Sequence, residues 1–364
     1  TPLTALYMTK IIKESGLPNG VVNVVLGESL LLPDPNTTDR SYGPTVGNAL
    51  SAHPDIDKVA FTGSTAVGRK VMEEASKSNL KKVTLELGGK GANIIFDDAD
   101  LDEAVKYAAQ GIFEFCTLSP SSATLTTSFN HGQTCCAGSR IYVQKGIYDK
   151  FAEAFKAQTS RLKVGDPFEP SSYQGPQVSQ LQADRIMGYV KSGQEEGATI
   201  IAGGKRIGDK GFFIEPVSVH VEPLWRALTP QTIFGDVSSN MKIVKEEIFG
   251  PVVVLTSFET EEEVVKEANS SIYGLASAVF TTNVTRAHRV AASLKAGTVW
   301  YVGRYPMLQG TNSQGQLHNE LHPQVPFGGF KHSGIGRELG EYALENYTEI
   351  KAVHVNLTGQ ALVP

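Results

Sequence analysis

A pair of adjacent cysteines in a glycine-flanked loop, His131-Gly132-Gln133-Thr134-Cys135-Cys136-Ala137-Gly138, is the first place where this chain could do covalent chemistry. The chain holds only 3 cysteines in 364 residues, so two together in a loop point to a nucleophile, a role suited to a thiolate. Adjacent cysteines do not match the C-x-x-C spacing of zinc sites and no second cluster exists, so no metal is expected. His131 could pair with Cys135 as in a hydrolase dyad, or could simply be polar loop surface. Cys136 and Cys116 read as inert buried thiols.

Three further stretches could bind or catalyse. In Glu86-Leu87-Gly88-Gly89-Lys90 a carboxylate ends an apolar strand and a flexible glycine pair follows. Ligands of open α/β sheets gather at carboxyl ends of strands, and partial burial there would tune Glu86 as a general base. The plain alternative is a solvated strand-end carboxylate. In Phe61-Thr62-Gly63-Ser64-Thr65-Ala66-Val67-Gly68 small residues sit where a strand gives way to a helix. The unpaired N–H groups of that helix start suit an anion such as a nucleotide pyrophosphate. Equally, the turn could need glycine for its shape alone, since its spacing is not G-x-G-x-x-G. Lys245-Glu246-Glu247-Ile248-Phe249-Gly250-Pro251 is an acidic turn leading into an apolar strand, and by itself it identifies no ligand.

The pattern between these loops predicts the scaffold. Leu3, Leu6, Tyr7 and Ile11 recur at helical spacing after a Thr1 cap and Pro2, and Gly16 and Pro18 end that helix. The β-branched run 21–25 predicts a buried strand. Helices then follow near 44–52, 65–77, 101–113, 148–162, 180–194, 261–269 and 284–296. Strands are predicted at 58–61, 82–87, 93–96, 140–144, 199–202 and 277–281, an alternation that implies βαβ units and a parallel sheet. Val353, Val355 and Leu357 alternate with His354 and Asn356 as a half-exposed strand able to pair with another chain. Four segments, 28–41, 114–128, 217–231 and roughly 301–317, are rich in Ser, Thr, Pro and Asn and lack a period.

Composition narrows the function classes. At about 150 residues per domain the length implies two to three domains. A net charge of −5 argues against a nucleic-acid partner, whose binder would carry a basic face. With 41% hydrophobic and 20% charged residues the chain is globular rather than disordered. No stretch approaches the roughly 18 apolar residues of a membrane span. The low cysteine count favours a reducing, cytoplasmic setting, with a mitochondrial one also open.

Taken in order, the motifs read VAFTGSTAVG, VTLELGGKGANIIF, FNHGQTCCAGSR, KEEIFGPVVV and PFGGFKHSGIGRELGEYALENYTEIKAV. This set strongly resembles the NAD(P)-dependent aldehyde dehydrogenase superfamily, along almost the whole chain outside the four irregular segments and the last residues. The resemblance implies an α/β fold, with the second half of a Rossmann-like cofactor domain over 1–87 and an α/β catalytic domain over 88–332. A C-terminal helix and oligomerisation strand would occupy 333–364. It implies Cys135 as nucleophile and Glu86 as general base. Gly63, Ser64, Thr65 and Gly68 would lie under the cofactor pyrophosphate and Leu87 beside the cofactor. Glu247 would hold the nicotinamide ribose and Phe249 would flank the nicotinamide. The implied reaction is oxidation of a small aldehyde to an acid with NAD or NADP by a homo-oligomer, a dimer or a tetramer. A catalytically impaired relic and a cofactor-independent cysteine esterase are the alternatives. The family's oxyanion-hole asparagine and ribose-binding lysine would lie upstream of Thr1, as would the first strand of the cofactor domain and two bridging strands. That leaves the Cys135 N–H as the oxyanion donor this sequence names. The four irregular segments are expected to be foreign insertions of the translated-intron kind, because excising 114–128 or 217–231 rejoins family motifs.

Overall fold

β-branched runs become strands only where neighbours receive their hydrogen bonds, and the molecule contains both outcomes. The computed structural model describes residues 2–25, 43–113, 130–220, 240–303, 321–355 and 357. These fall into two units, Thr1–Leu85 and Glu86–Pro364.

The first unit opens with helix α1 (Pro2–Glu14), followed by α2 (Asn48–Ala52), strand β1 (Lys58–Thr62), α3 (Thr65–Lys77) and strand β2 (Lys82–Glu86). β1 and β2 are hydrogen-bonded neighbours, tied also by the Lys58 ammonium donating to the Thr84 hydroxyl at 2.7 Å. The Ser64 hydroxyl caps α3 by accepting the Val67 N–H at 3.3 Å. That helix buries Gly68, Val71 and Ala75. The predicted strand at 21–25 does not form: its residues are irregular and Val21 through Val25 are exposed. Within the described residues of this unit no strand pairs with the run, so β-propensity alone does not order it.

The second unit is built on one seven-stranded sheet. Its elements are β3 (Ala92–Ile95), α4 (Leu101–Phe113), β4 (Arg140–Gln144), α5 (Tyr148–Thr159), α6 (Gln180–Glu195), β5 (Thr199–Ala202) and the short hairpin β6 (Arg206–Ile207) and β7 (Phe213–Ile214). Then come β8 (Val217–His220), α7 (Lys242–Lys245), β9 (Val252–Phe258), α8 (Glu261–Asn269), β10 (Ala276–Phe280), α9 (Val284–Ser293) and β11 (Thr298–Val302). The strand order is β11-β10-β3-β4-β9-β8-β5, parallel throughout except for the antiparallel edge strand β5. Alternate residues of β9 face opposite sides. Val253 and Leu255 pack with Phe113, Phe151 and Phe155 of α4 and α5, whereas Val252 and Val254 pack with Ile186 and Val190 of α6. Phe96, Phe258, Val264 and Val290 fill the space under α8 and α9. Both faces are covered, which is why these strands read as continuous apolar runs.

The structure corrects several expectations. Val217–His220, the start of the presumed insertion 217–231, is the internal strand β8, and Val217 is fully buried. Tyr301 and Val302, the start of the segment at 301–317, close β11. Both stretches adjoin irregular sequence, but their hydrogen bonds belong to the sheet. Segments 28–41 and 114–128, residues 221–231 and 304–317 of the other two, and Cys116 lie outside the described residues. The tail carries a six-residue 3-10 helix, Glu341–Asn346, rather than an α-helix. No strand forms at 351–355, where Val353 and Val355 are exposed, as is Leu357. Their alternation has no partner strand among the described residues, so it remains an unpaired pattern.

Candidate active site

Three loops of the second unit converge on the glycine pair after β2. Glu86 ends that strand, and the chain turns through Leu87, Gly88 and Gly89 before entering β3. A Cβ at Gly88 would run into the Glu247 carboxyl, and one at Gly89 would run into the carbonyl oxygen of Cys135. Glycine is needed at both positions because the other two loops lie against the bare backbone. The Gly89 N–H donates to Glu247 Oε1 at 3.0 Å, fixing that carboxylate over the turn. Gly132 adopts φ 73°, and a side chain there would strike the Gly250 carbonyl, so the cysteine loop also rests on the loop before β9.

Ser333 holds the turn from the tail. Its carbonyl accepts the Leu87 N–H at 2.9 Å, its hydroxyl donates to the Gly88 carbonyl at 2.6 Å, and that hydroxyl accepts the Gly274 N–H at 2.9 Å. Leu87 itself is buried.

Burial sets the electrostatics. Glu86 is 5% exposed, and burial pushes its carboxyl up to about 7. The nearby charges of Glu338 and Glu247 act in the same direction, and a hydrogen bond with the Cys135 thiol opposes them. The Cys135 thiol is itself pushed well up, by its hydrogen bond with Cys136, by burial and by the Glu86 carboxylate. The expected free thiolate is therefore a thiol here, hydrogen-bonded to a carboxyl that titrates near neutrality. Glu86 Oε1 has no hydrogen-bond partner among the described residues, leaving an acceptor for a further proton. The Cys135 N–H donates to no acceptor among the described residues. Glu247 is also raised, chiefly by burial, against the Gly89 N–H and the Lys90 charge. Burial drives the Lys90 amine down to about 7, and it lacks a hydrogen-bond partner among the described residues.

His131 does not serve Cys135. Its ring lies against Gly175, burial lowers it to about 4, and the groups acting on the thiol are Cys136 and Glu86. A neutral imidazole turned elsewhere forms no dyad.

The structure thus brings Cys135, Glu86, Leu87 and Glu247 to one turn, with Phe249 two residues beyond Glu247. Gly63, Ser64, Thr65 and Gly68 belong to the first unit, where Ser64 is the cap, Thr65 opens α3, and the Phe61 ring lies over Gly63 at the place a Cβ would take. Residues missed from sequence are Ser333 and Glu338, both inside the quoted KHSGIGRE stretch but without a reactive spacing of their own. Gln182 and Arg185 were also missed, because polar residues on a helix read as solvent face.

Residues 1–353 match the model of the aldehyde dehydrogenase family. An aldehyde dehydrogenase of Emericella nidulans is 53% identical over the whole chain, and rat mitochondrial aldehyde dehydrogenase is 46% identical over 98% of it. The chain spans 61% and 58% of those two proteins. The NAD+ complex of aldehyde dehydrogenase from Bacillus cereus superposes with a TM-score of 0.80 at 43% identity, covering 98% of this chain and 61% of that one. Betaine aldehyde dehydrogenase from Staphylococcus aureus in complex with NAD+ gives a TM-score of 0.80 at 37% identity, covering 100% and 61%.

Proposed function

This chain belongs to the aldehyde dehydrogenase family, and we propose that the protein it builds oxidises an aldehyde to a carboxylic acid with NAD or NADP, through a thioester on Cys135. The observation that carries this reading is the Cys135 thiol hydrogen-bonded to a buried carboxyl poised near neutrality. The residues fit the cofactor. Ser64 and Thr65 open a 13-residue helix after a glycine turn, an arrangement suited to pyrophosphate oxygens. Glu247 is a buried carboxylate fixed by a backbone N–H and suited to ribose hydroxyls, and the Phe249 ring is partly exposed beside it. When bound, the dinucleotide accepts hydride from the substrate carbon.

The chain's own groups do the rest. Glu86, once deprotonated, takes the thiol proton as Cys135 sulfur bonds to the aldehyde carbon and the carbonyl electron pair moves onto oxygen. The Cys135 N–H, which has no acceptor among the described residues, would donate to that oxyanion. Glu86 gives up that proton to solvent and, after oxidation to the acyl level, removes a proton from water as the water oxygen bonds to the acyl carbon. Cys135 then departs with the C–S electron pair and recovers a proton. Burial of Glu86 serves both steps, because a carboxyl titrating near 7 is both available and basic at neutral pH.

In the same reading the first unit is part of the cofactor domain and the second unit the catalytic domain. The exposed, unpaired Val353, Val355 and Leu357 would become a strand only on pairing with a second copy of the chain. The test is NADH or NADPH absorbance at 340 nm with a small aldehyde panel, using this chain and its Cys135→Ala variant. Turnover only in the first supports the proposal; equal signals from both remove Cys135 from its role.

A further inference from the structure

We infer that α6 clamps the nicotinamide end of the cofactor site, with Gln182 and Arg185 as positioning residues that hold the 246–249 loop in a shape it would not keep alone. This rests on the cofactor reading above, in which Glu247 and Phe249 meet the dinucleotide.

Phe249 adopts φ 58°, a left-handed conformation that a bulky aromatic residue avoids unless its surroundings impose it. The surroundings are polar side chains of one helix face. Gln182 donates through Nε2 to the Phe249 carbonyl at 2.6 Å and to the Ile248 carbonyl at 3.2 Å. Arg185, one turn on, donates through Nη2 to the Glu247 carbonyl at 3.1 Å. Tyr189, a further turn on, donates its hydroxyl to Glu246 Oε2 at 2.7 Å, and the Arg185 guanidinium lies 5.8 Å from its ring centre. Positions 182, 185 and 189 recur at helical spacing, so a single rigid element grips four consecutive loop residues. Below them Ile186 and Ile248 share a buried cluster, and a Cβ at Gly250 would strike Ile186, so the loop is pressed onto the helix.

The consequence is directional. The three carbonyls are oriented by α6, which leaves the Glu247 carboxylate on the Gly89 N–H and the Phe249 ring partly exposed. Loosening the clamp would let Phe249 relax to negative φ and turn both groups away, with a smaller effect on Glu86, which ends β2, and on Cys135, whose loop meets this one at Gly132 and Gly250.

The experiment compares the chain with its Gln182→Leu, Arg185→Met and Arg185→Lys variants, and with Lys191→Ala as an exposed control on the same helix. Amide hydrogen exchange over 246–250 is read first, without any cofactor. The clamp predicts an increase of about tenfold for Gln182→Leu, a smaller one for Arg185→Met, near-wild-type exchange for Arg185→Lys and none for Lys191→Ala. In the second arm aldehyde-dependent NADH formation falls about tenfold in kcat for Gln182→Leu, while nitrophenyl ester hydrolysis, which needs Cys135 and Glu86 but no hydride transfer, falls less than about threefold. Unchanged exchange in Gln182→Leu overturns the clamp, and so does a parallel loss of both activities, which would mark a purely structural helix. Absence of NADH formation in the unmodified chain would instead refute the cofactor reading, so the two failures are told apart.

Discussion

Residues 21–25 and 252–258 are near-equivalents in sequence, each a run rich in valine, yet one is exposed and irregular and the other is a central strand. β9 lies between β4 and β8, with Arg140 paired to Val254 and Val217 paired to Val252, and its valines are fully covered by helices on both faces. Val21 and Val25 are 62% and 65% exposed and have no strand neighbour among the described residues of their unit. Strand formation is thus a property of the neighbours more than of the run. The same contrast governs the chemistry: Glu86 becomes a base near neutrality only because packed loops surround it, whereas the exposed Glu73 is held below the usual carboxylate range by the ammonium of Lys77.

If the packed region carries the chemistry, the largest effect comes from its nucleophile. Cys135→Ala lowers aldehyde oxidation by at least about 10⁴-fold, read at 340 nm, with little change in melting temperature. Comparable activity in both proteins would break the contrast between the regions. Next, Glu86→Gln lowers turnover about 10²- to 10⁴-fold. In the unmodified protein the rate rises as pH increases through about 7 and then levels, because the base form is the active one, and the variant loses that inflection. Stability runs the other way. The folded pKa of Glu86 lies above its unfolded value, so folding favours the protonated form, and that contribution is full at acid pH and lost as pH rises toward 7. The variant accordingly melts higher relative to the parent at pH 8 than at pH 5 by scanning calorimetry.

The packing half of the comparison is sharpened by matched truncations. Leu255→Ala, in the fully buried strand, costs about 2–5 kcal/mol in urea unfolding. Val25→Ala, in the exposed run, stays within about 0.5 kcal/mol. Similar costs would show that residues 21–25 are packed after all.

Much of the fold was legible because helix and strand periods are local. α3, α4, β4, β5 and α8 fall where spacing and caps predict them, and Thr260 with Glu263 completes a capping box at the start of α8. The cysteine pair and the strand-end carboxylate were equally plain, since residue type and loop context suffice to nominate them. What sequence could not supply was long-range. That Gly88 and Gly89 are bare because Glu247 and Cys135 press on them depends on contacts from 88 to 247 and from 89 to 135, 159 and 46 residues apart. So do the Ser333 brace and the polar grip of α6 on Phe249. Local composition fixed which segments could be helices, strands and reactive loops. Only tertiary packing decided which valine run found partners, which carboxyl lost its water, and which loops met, because burial and strand pairing depend on residues far apart in the chain.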